Sequence, residues 1–379
     1  MSPIAEIIDR IANLAEAEQA AGKPLRTLEA IRQAGYRIVK ARDGDRYFLA
    51  RQSDLQPLLV KLGDIAEVRF GIKTGANEFF YLEPIGISVA QLFRGGVHQP
   101  AVPTVRVQNG AGWQGELETA WLRPVIKSPR ELKTLRVRLD DLRYLVFMPP
   151  DDVRQRLHDT AYLKQRYPKA YAYIHWGEGQ GYHRRPTCAA RPVWWNLGST
   201  EISQVGFVER YQQRYFVIYN EASVFFNKSF YYVNGDRLLC ASLNTSVAQL
   251  SAELVGRTPG GGGGPVDLDV EMAKEIHLPN PAAFTASQRD RLLEAFEQMA
   301  SREVRSIFEE LGYPKPNRDY SNIDPHALTL QQVRCASPDR YALDAVVFEV
   351  LGLSESERLA VYRSVVELVR NRLVKARSV

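Results

Sequence analysis

The sequence contains few cysteines and no long apolar run, and both features narrow the class of protein. Its 379 residues include three cysteines, Cys188, Cys240 and Cys335, without paired spacing. This pattern predicts buried free thiols and argues against disulfides or a zinc site. No run approaches the roughly 18 apolar residues that cross a bilayer. The first ten residues already carry acidic side chains, unlike a secretory signal. We therefore expect a cytoplasmic protein with no membrane segment.

Sequence patterns of the common catalytic sites are also missing. There is no Ser-His-Asp signature, nucleophile elbow or HExxH motif. His175, His183 and Cys188 do not have the spacing of metal ligands. A carboxylate-metal nuclease remains conceivable, but no active-site pattern connects the acidic residues that it would use: Asp140, Asp141, Asp151 and Asp152.

The charge of the sequence is concentrated in its centre. The composition, 45% hydrophobic and 25% charged, is that of an ordinary soluble protein. The net charge of +5 permits nucleic-acid binding without establishing it. Residues 121–215 contain 17 Lys or Arg against 9 Asp or Glu, a net +8, so the remainder carries −3. Such a local excess is expected of a surface that binds a polyanion.

The hydrophobic patterns predict an α+β protein in three parts. Residues 1–56 form a helical and β-hairpin segment: an amphipathic helix that ends at Gly22, a short helix over 27–34, and two apolar segments around Asp43-Gly44. This segment matches either a small winged DNA-binding module or a structural or coupling segment. The apolar stripe of the first helix consists of Ile4, Ile7, Ile8, Ile11 and Leu14.

The other two parts differ in their predicted secondary structure. Residues 57–283 read as a β-rich mixed domain, helical only near 151–166 and 238–255. Residues 284–379 form a helical region, in which Thr285 or Ser287 caps a helix to about Leu311 and Ser354 starts the last helix. One stripe predicts packing within the protein or docking of a partner subunit: Leu343, Val346, Val347, Val350 and Leu351.

Two glycine-rich stretches each allow more than one interpretation. Gly71-Ile72-Lys73-Thr74-Gly75 has the wrong spacing for a phosphate-binding loop, and a β-like NEFFYL follows it. It is either a turn, with Gly71 and Gly75 at positive φ, or a ligand-contact loop that presents Lys73, Thr74 and Asn77. The run 260–264 is either a flexible linker or a tight backbone passage before the alternating VDLDV.

A central segment combines aromatic and basic residues. In 174–198, Trp176, Tyr182, Trp194 and Trp195 alternate with Arg184, Arg185 and Arg191. Arginine can contact phosphates or guanine edges, and aromatic rings can stack on unpaired bases. The alternative is a tryptophan-rich core with solvated arginines. Trp194 and Trp195 fall in an apparent strand and should face opposite sides, which places one of them in the core.

Several sequence segments, and the order in which they occur, resemble those of a known family. They are LGDIAEVRFGIKTGANEFFYL (62–82), WLRPVIKSPREL (121–132), RPVWWNLG (191–198), FNKSFYYV (226–233), LLCASLNTSVAQLSAELVGR (238–257), GGGGGPVDLDVEMAKEIHLPNP (260–281) and YALDAVVFEVLGLSESERLAVYRSVVELV (341–369). The chain is similar to the target-recognition domain and C-terminal region of TaqI-like type II and type IIG adenine-specific DNA methyltransferases. Type I restriction specificity subunits begin their recognition domains with a similar LGDI phrase.

The sequence departs from these methyltransferases where catalysis is concerned. The family's Asn/Asp-Pro-Pro-Tyr/Phe motif is absent, and FMPPDD (147–152) has only its two prolines. No glycine-rich loop for S-adenosylmethionine precedes position 60. The resemblance therefore implies a specificity part without the catalytic domain, with no catalytic residue and no metal or cofactor of its own. A divergent stand-alone methyltransferase or nuclease is the alternative, whereas the basic centre argues against a DNA mimic.

The resemblance also implies partners and contact residues. We expect the chain to bind double-stranded DNA for a separate methyltransferase, or methyltransferase-nuclease, that holds S-adenosylmethionine. The basic centre would grip phosphates, and loop side chains would read base edges. The expected DNA contacts are Lys73, Thr74, Asn77, Lys127, Arg130, Tyr182, Arg184, Arg185, Asn227, Lys228, Ser229 and Arg257.

Overall fold

The first of two compact units, Met1–Leu58, contains two helices and a hairpin. The computed structural model describes residues 7–40, 47–51, 57–97, 99–198, 201–259, 263–317 and 319–376. In this unit the elements are α1 (Leu14–Ala21), α2 (Leu28–Gln33), β1 (Tyr36–Lys40) and β2 (Tyr47–Arg51). Gly22 ends α1 in the left-handed conformation, the Thr27 hydroxyl caps α2, and the strands pair antiparallel. The short helix and the paired strands match the sequence prediction. The first helix is shorter than predicted, because residues 10–13 form a turn in which Ile11 bridges Tyr47, so Ile7, Ile8 and Ile11 are not part of α1. Ile4 and the Asp43-Gly44 turn lie outside the described residues.

The second unit, Leu59–Val379, contains the other strands and helices. Its strands are β3 (Leu59–Lys61), β4 (Val68–Phe70), β5 (Tyr81–Pro84), β6 (Thr104–Asn109), β7 (Gln114–Glu118), β8 (Leu122–Ile126), β9 (Tyr144–Phe147), β10 (Val205–Val208), β11 (Arg210–Tyr211), β12 (Val217–Tyr219), β13 (Phe225–Phe226), β14 (Phe230–Val233), β15 (Val266–Asp267) and β16 (His277–Pro279). Its helices before residue 280 are α3 (Leu62–Ile65), α4 (Asn77–Phe80), α5 (Val89–Leu92), α6 (Asp151–Arg154), α7 (Thr160–Arg166), α8 (Pro168–Gly179), α9 (Pro186–Ala189), α10 (Arg237–Leu243), α11 (Ser246–Val255) and α12 (Val270–Lys274). The later helices are α13 (Ala286–Ser301), α14 (Ile307–Glu310), α15 (Leu330–Ala336), α16 (Pro338–Leu351) and α17 (Glu355–Lys375).

Two larger sheets share one tight turn. The six-stranded sheet has the order β13-β8-β9-β5-β6-β7, and the four-stranded sheet has the order β12-β10-β14-β4. Strand β13 pairs parallel with β8, whereas β14 pairs antiparallel with β4 and β10. The three residues between β13 and β14, Asn227, Lys228 and Ser229, therefore connect the two sheets. The protein is of the mixed α+β class, as the sequence predicts.

One hydrophobic core continues from the β-rich region into the C-terminal helices. It includes Leu62, near the start of the β-rich region, and Leu343, Val346 and Val347 on α16. The apolar stripe of α16 therefore packs within the protein. A further core joins α14, α15 and α17. The predicted domain boundary between 283 and 284 remains a prediction.

The structure also corrects several predicted elements. Helix α8 was not expected, and residues 191–198 form turns instead of a strand, although Trp195 is buried as predicted for one tryptophan. The stretch 238–255 is two helices, α10 and α11, and the helix capped by Thr285 ends at Ser301. The NEFFYL stretch begins with the one-turn helix α4, and only the first residues of VDLDV form a strand. Cys335 is exposed, whereas Cys188 and Cys240 are buried thiols as predicted.

No single helix within the described residues is long and apolar enough to cross a bilayer. Together, α10 and α11 reach the length and apolar composition of a membrane span, but a 65° bend separates them.

Candidate nucleic-acid interface

The loop 71–77 is held against the turn between β13 and β14. Its backbone exchanges hydrogen bonds with that turn: Gly71 N to Phe230 O at 2.9 Å, Ile72 N to Phe226 O at 2.8 Å, and Lys228 N to Ile72 O at 3.1 Å. A side chain at Gly71 would place its Cβ 2.2 Å from the carbonyl oxygen of Asn227. Glycine is therefore required at 71 because two backbones approach closely, and the prediction of a positive φ there is wrong.

Gly75 has the conformation that the sequence predicts. Its φ is +77°, and an added Cβ would lie 2.6 Å from the Cβ of Thr187. Both constraints favour glycine, because other residues rarely adopt this conformation and the side of the loop is already in contact with a neighbour. The loop 71–77 is therefore fixed on two sides, by the turn 227–229 and by the segment after α8.

The second predicted contact segment leaves the sheet beside this turn. Phe226 pairs with Ile126 in the parallel ladder of β13 and β8, and Asn227 N donates to Ile126 O at 2.9 Å. Because parallel strands end at the same edge of a sheet, the chain emerges at Lys127 next to Asn227. Lys127 and Arg130 therefore lie near the turn, as the sequence predicts for a common surface.

Arg191 connects the third segment to the first loop. Its guanidinium donates to the carbonyl oxygens of Lys73, Thr74 and Trp194. Burial lowers the pKa of Arg191, but guanidinium remains charged at neutral pH. Nearby, Arg185 donates to Glu78 at 2.6 Å, and this hydrogen bond lowers the pKa of Glu78. Four segments that are distant in sequence therefore form one surface.

The expected contact residues differ in exposure. Six have exposed side chains: Lys73, Asn77, Arg130, Arg184, Lys228 and Arg257. Three are half-buried: Lys127, Arg185 and Ser229. Three are buried: Thr74, Tyr182 and Asn227.

The three buried residues shape the surface and do not present their side chains to a ligand. The Thr74 hydroxyl donates to Oδ1 of Asn77, which orients that exposed amide. Oδ1 of Asn227 accepts from the amide of Ser229 at 3.0 Å, the pattern of an Asx turn. The Tyr182 ring packs against Phe79, with 5.5 Å between centroids. For these residues the expectation of direct contact is corrected, because the loop itself uses their polar groups or rings.

Two of the lysines are held over aromatic rings. Lys73 Nζ lies 3.8 Å from the ring centroid of Phe70, whose side chain is 44% exposed. Lys127 Nζ lies 4.1 Å from the ring centroid of Tyr144. A cation–π contact restrains the ammonium without neutralising its charge. Both lysines therefore remain available to an anion.

An open cleft of about 640 Å³ lies beside the turn 227–229. Lys228 and Ser229 line one part of it and Arg130 another. Arg210 and Arg214 also line it, and Arg210 is paired with Asp267. These two arginines were not predicted as contact residues, because the sequence ERYQQRY contributes only to the general positive charge of residues 121–215. The cleft is lined mainly by polar and cationic groups, as a phosphate-binding surface requires.

Arg257 lies at the margin of this surface. Its backbone pairs with that of Asp267, the residue that also binds Arg210. Its guanidinium is 62% exposed and lies 3.9 Å from a carboxylate oxygen of Asp269. At the glycine run, Gly264 N donates to Arg372 O, and a Cβ at Gly263 would lie 2.2 Å from that oxygen. Residues 263–264 thus form a tight backbone passage, while 260–262 are outside the described residues.

A smaller pocket of about 330 Å³ opens next to Asn77 and Lys127. The hydroxyl of Tyr81 and both carboxylate oxygens of Glu131 are buried without a hydrogen-bond partner among the described residues. Burial raises the pKa of Glu131 to about 7, although backbone amides and the charges of Lys127 and Arg143 oppose the shift. The sequence gave no signal for this pocket, whose walls come from separate strands. They are formed by Asn77, Glu78, Tyr81, Glu83, Gln108, Asn109, Gly110, Lys127 and Tyr144.

The described residues contain no group of three or more His, Cys, Asp or Glu side chains placed to hold a metal ion. Of the four aspartates considered for a nuclease, Asp152 accepts hydrogen bonds from Tyr162 and Tyr167. Asp141 accepts one from the backbone of Arg138. These two carboxylates serve local structure.

Comparison with known proteins identifies a family for the central part of the chain. Residues 118–311, just over half of the chain, match the model of the type II methyltransferase M.Eco57I, C-terminal domain. The type IIG restriction endonuclease BpuSI has 14% identity and a TM-score of 0.41, over 77% of this chain and 31% of that one. The type IIL restriction-modification enzyme MmeI, solved in complex with DNA, has 11% identity and a TM-score of 0.39, over 91% and 42%. This chain thus spans less than half the length of either enzyme. No curated protein matches its sequence. The chain belongs to the family of the M.Eco57I C-terminal domain.

Proposed function

We propose that the chain recognises a specific double-stranded DNA sequence on behalf of an adenine-specific DNA methyltransferase in a restriction–modification or related phage-defence system. It acts in the cytoplasm and positions the duplex for a separate catalytic chain or domain. That partner binds S-adenosylmethionine, and this chain contributes no catalytic residue. The role agrees with membership of a methyltransferase C-terminal domain family.

One observation carries the proposal. Four polar segments from distant parts of the sequence meet on one surface and present exposed Lys73, Arg130 and Lys228 together with the amide of Asn77. Backbone hydrogen bonds and tight glycine contacts fix these segments. A rigid surface that combines cations with oriented amides suits a duplex, because it can bind phosphates and read base edges together.

The residues divide into two kinds by their surroundings. Arg130, Arg214 and Lys228 line the polar cleft and would bind backbone phosphates, which fixes the position of the duplex. Asn77, Lys73 and Lys127 lie at the loop 71–77 and the smaller pocket, where they would reach base edges. Arg184 and Arg257 extend the cationic surface at its margins.

Selection from a random duplex library tests this function. Purified full chain is incubated with the library at low salt, and bound duplexes are sequenced over several rounds. We expect a defined motif to be enriched. If neither the chain alone nor the chain with its methyltransferase enriches any motif, the proposal fails.

A second measurement separates recognition from catalysis. Calorimetric titration of the chain with S-adenosylmethionine should give no binding, and transfer of labelled methyl groups to the enriched duplex should require the methyltransferase. Methyl transfer by the chain alone would instead establish a stand-alone enzyme.

A further inference from the structure

The pocket beside Asn77 and Lys127 contains buried polar atoms that the fold leaves unused. Tyr81 is 2% exposed, lines the pocket, and its hydroxyl makes no hydrogen bond among the described residues. The side chain of Asn227 lies beside that hydroxyl and acts to lower the pKa of Tyr81, although no well-aligned hydrogen bond joins the two. An unpaired buried hydroxyl costs about 1–3 kcal/mol, so such groups call for an explanation.

A second group with unused hydrogen-bonding capacity lies close by. Both carboxylate oxygens of Glu131 are buried without a well-aligned hydrogen bond, although the backbone amides of Lys127 and Ser128 lie beside them. The carboxylate is near enough to act electrostatically on Tyr81, Tyr144 and Lys127. Tyr81 and Glu131 come from β5 and from the turn after β8, which are not neighbours in sequence. Tyr81 thus brings an unpaired buried hydroxyl to the wall of the pocket, and Glu131 lies close by without lining it.

The chemistry of the pocket differs from that of the cationic cleft. Glu78 and Glu83 line it, paired at its edges with Arg185 and Arg143. Carboxylates disfavour phosphate and accept hydrogen bonds from amino groups, as glutamate does with the amino group of cytosine. Asn77 and Lys127 supply donors on the same walls, and the half-buried ring of Tyr144, over which the Lys127 ammonium lies, completes the lining.

The size of the pocket limits its ligand. At about 330 Å³ it is at the lower end of the range for small-molecule sites, so it holds a group the size of one base. Acceptors, donors and a ring together match the edge of a base that carries an exocyclic amino group. A base that remains stacked in the duplex presents only its groove edges, whereas an unstacked base can enter such a pocket.

We propose that this pocket receives one unstacked, amino-bearing base, cytosine or adenine, of the DNA that the chain binds. The inference rests on the proposed function and adds to it a base-binding site within the recognition surface. The Tyr81 hydroxyl would hydrogen-bond the base directly or through one water.

The test compares Tyr81→Phe with a matched variant, Tyr232→Phe, in library selection and in urea unfolding. The Tyr232 hydroxyl accepts from Phe226 N, so its loss should lower stability and leave the motif unchanged. Tyr81→Phe should leave stability unchanged or raise it, because its hydroxyl is unpaired. It should reduce preference for cytosine or adenine at one position by roughly 5- to 100-fold, the range for one base contact.

A second arm asks whether that base is unstacked. In a duplex with the enriched motif, the nucleotide opposite the preferred base is replaced by an abasic site. We expect binding to wild type to tighten by roughly tenfold, because the cost of unpairing is removed, and Tyr81→Phe to show little of this gain. Free cytidine and deoxyadenosine serve as probes for binding outside DNA.

The outcomes separate the two proposals. If wild type enriches no motif, the proposed function fails. If it enriches a motif that Tyr81→Phe does not change, or if the abasic duplex binds no more tightly, only the base pocket is overturned. Loss of stability in Tyr81→Phe without a change of motif would mean that the pocket holds water only, and this also overturns the inference.

Discussion

The guanidinium of Arg191 donates a hydrogen bond to the carbonyl oxygen of Lys73, 118 positions earlier in the chain. It donates also to Thr74 and Trp194, so one side chain joins the loop 71–77 to the segment after α8. Because these bonds use only backbone oxygens of the loop, Arg191 sets the conformation of the loop and leaves its side chains free.

We predict that Arg191→Ala weakens duplex binding although Arg191 is not expected to contact DNA. The loop would lose two charge-assisted hydrogen bonds, each worth about 1.5–3 kcal/mol where it is buried. Fluorescence anisotropy with the selected duplex should show a loss of affinity of about tenfold or more. Arg289→Ala, which removes one exposed charge on α13, is the control and should change affinity less than about twofold. Equal effects of both variants would contradict the role of Arg191.

The close backbone contact at Gly71 leads to a prediction about stability. Gly71→Ala would place Cβ 2.2 Å from Asn227 O, where backbone and not a flexible side chain must move. We expect a loss of about 2–4 kcal/mol in the free energy of unfolding, in the range of overpacked sites. Urea unfolding measures it. Gly179→Ala is the matched control at a non-positive φ, because no atom lies within 4 Å of a Cβ added there, and it should not lower stability.

Glu131 predicts a dependence of stability on pH. Its pKa is about 7 in the folded protein against an ordinary 4.5. Below about pH 4.5 both states are protonated and burial of this group carries no ionisation penalty. Between pH 4.5 and 7 the unfolded state ionises first, so stability falls as pH rises, and above pH 7 the full penalty is present.

We therefore predict that Glu131→Gln is more stable than wild type at pH 8.5 by about 1–2 kcal/mol, a value reduced for partial exposure. At pH 4.5 the two should agree within about 0.5 kcal/mol. Urea unfolding at both pH values tests this, with the exposed Glu294→Gln on α13 as control. A stability difference that is the same at both pH values would rule out ionisation of Glu131 as its cause.

A buried ion network ties the C-terminal helices together. Arg340, 2% exposed, donates to Glu310 at 3.1 Å, and Arg302 donates to both Glu310 and Asp339. The two arginines lower the pKa of Glu310 to about 2 despite its burial. Asp344, also buried, accepts from the amide and hydroxyl of Ser246.

We predict that Arg340→Ala lowers the free energy of unfolding by about 3–5 kcal/mol, because Glu310 and Asp344 lose a buried counter-charge. The double variant Arg340→Met/Glu310→Gln should be less destabilised than the single one, because it removes both charges. Urea unfolding of the three proteins decides the matter. A double variant less stable than Arg340→Ala would show that the packing of these side chains matters more than charge balance.

Local signals predicted the elements that begin with a cap. Thr285 and Ser354 cap helices as the sequence indicates, because a cap depends on a few adjacent residues. Helix α8 was missed because its glycines resemble turn signals. Residue 177 of this helix must be glycine, because a Cβ there would lie 2.6 Å from the ring of Phe79. This contact joins distant segments, so the sequence does not show it.

The candidate site was predicted in its segments but not in the orientation of its side chains. The segments around 73, 127 and 228 meet, and Arg191 joins the segment after α8 to the first of them, while contact of these residues with DNA stays a prediction. The polar groups of Thr74 and Asn227, however, form hydrogen bonds within their own loops. Threonine and asparagine are favoured both in turns and in ligand contacts, so composition cannot separate the two roles. The pocket around Tyr81 depends on strand pairing and therefore had no sequence signal.

The salt dependence of duplex binding tests the central claim most directly. Anisotropy titrations with the selected duplex, between about 50 and 200 mM salt, compare wild type with Arg130→Ala/Lys228→Ala, which removes two cations of the polar cleft, and with the control Arg289→Ala/Arg334→Ala. Log affinity should fall linearly with log salt, and the first double variant should reduce the slope by about 2, since each phosphate contact contributes about 0.9. The control, which removes two exposed charges on α13 and α15, should retain the wild-type slope. Identical slopes for all three proteins, or no duplex binding by wild type, would contradict the proposed DNA-binding surface.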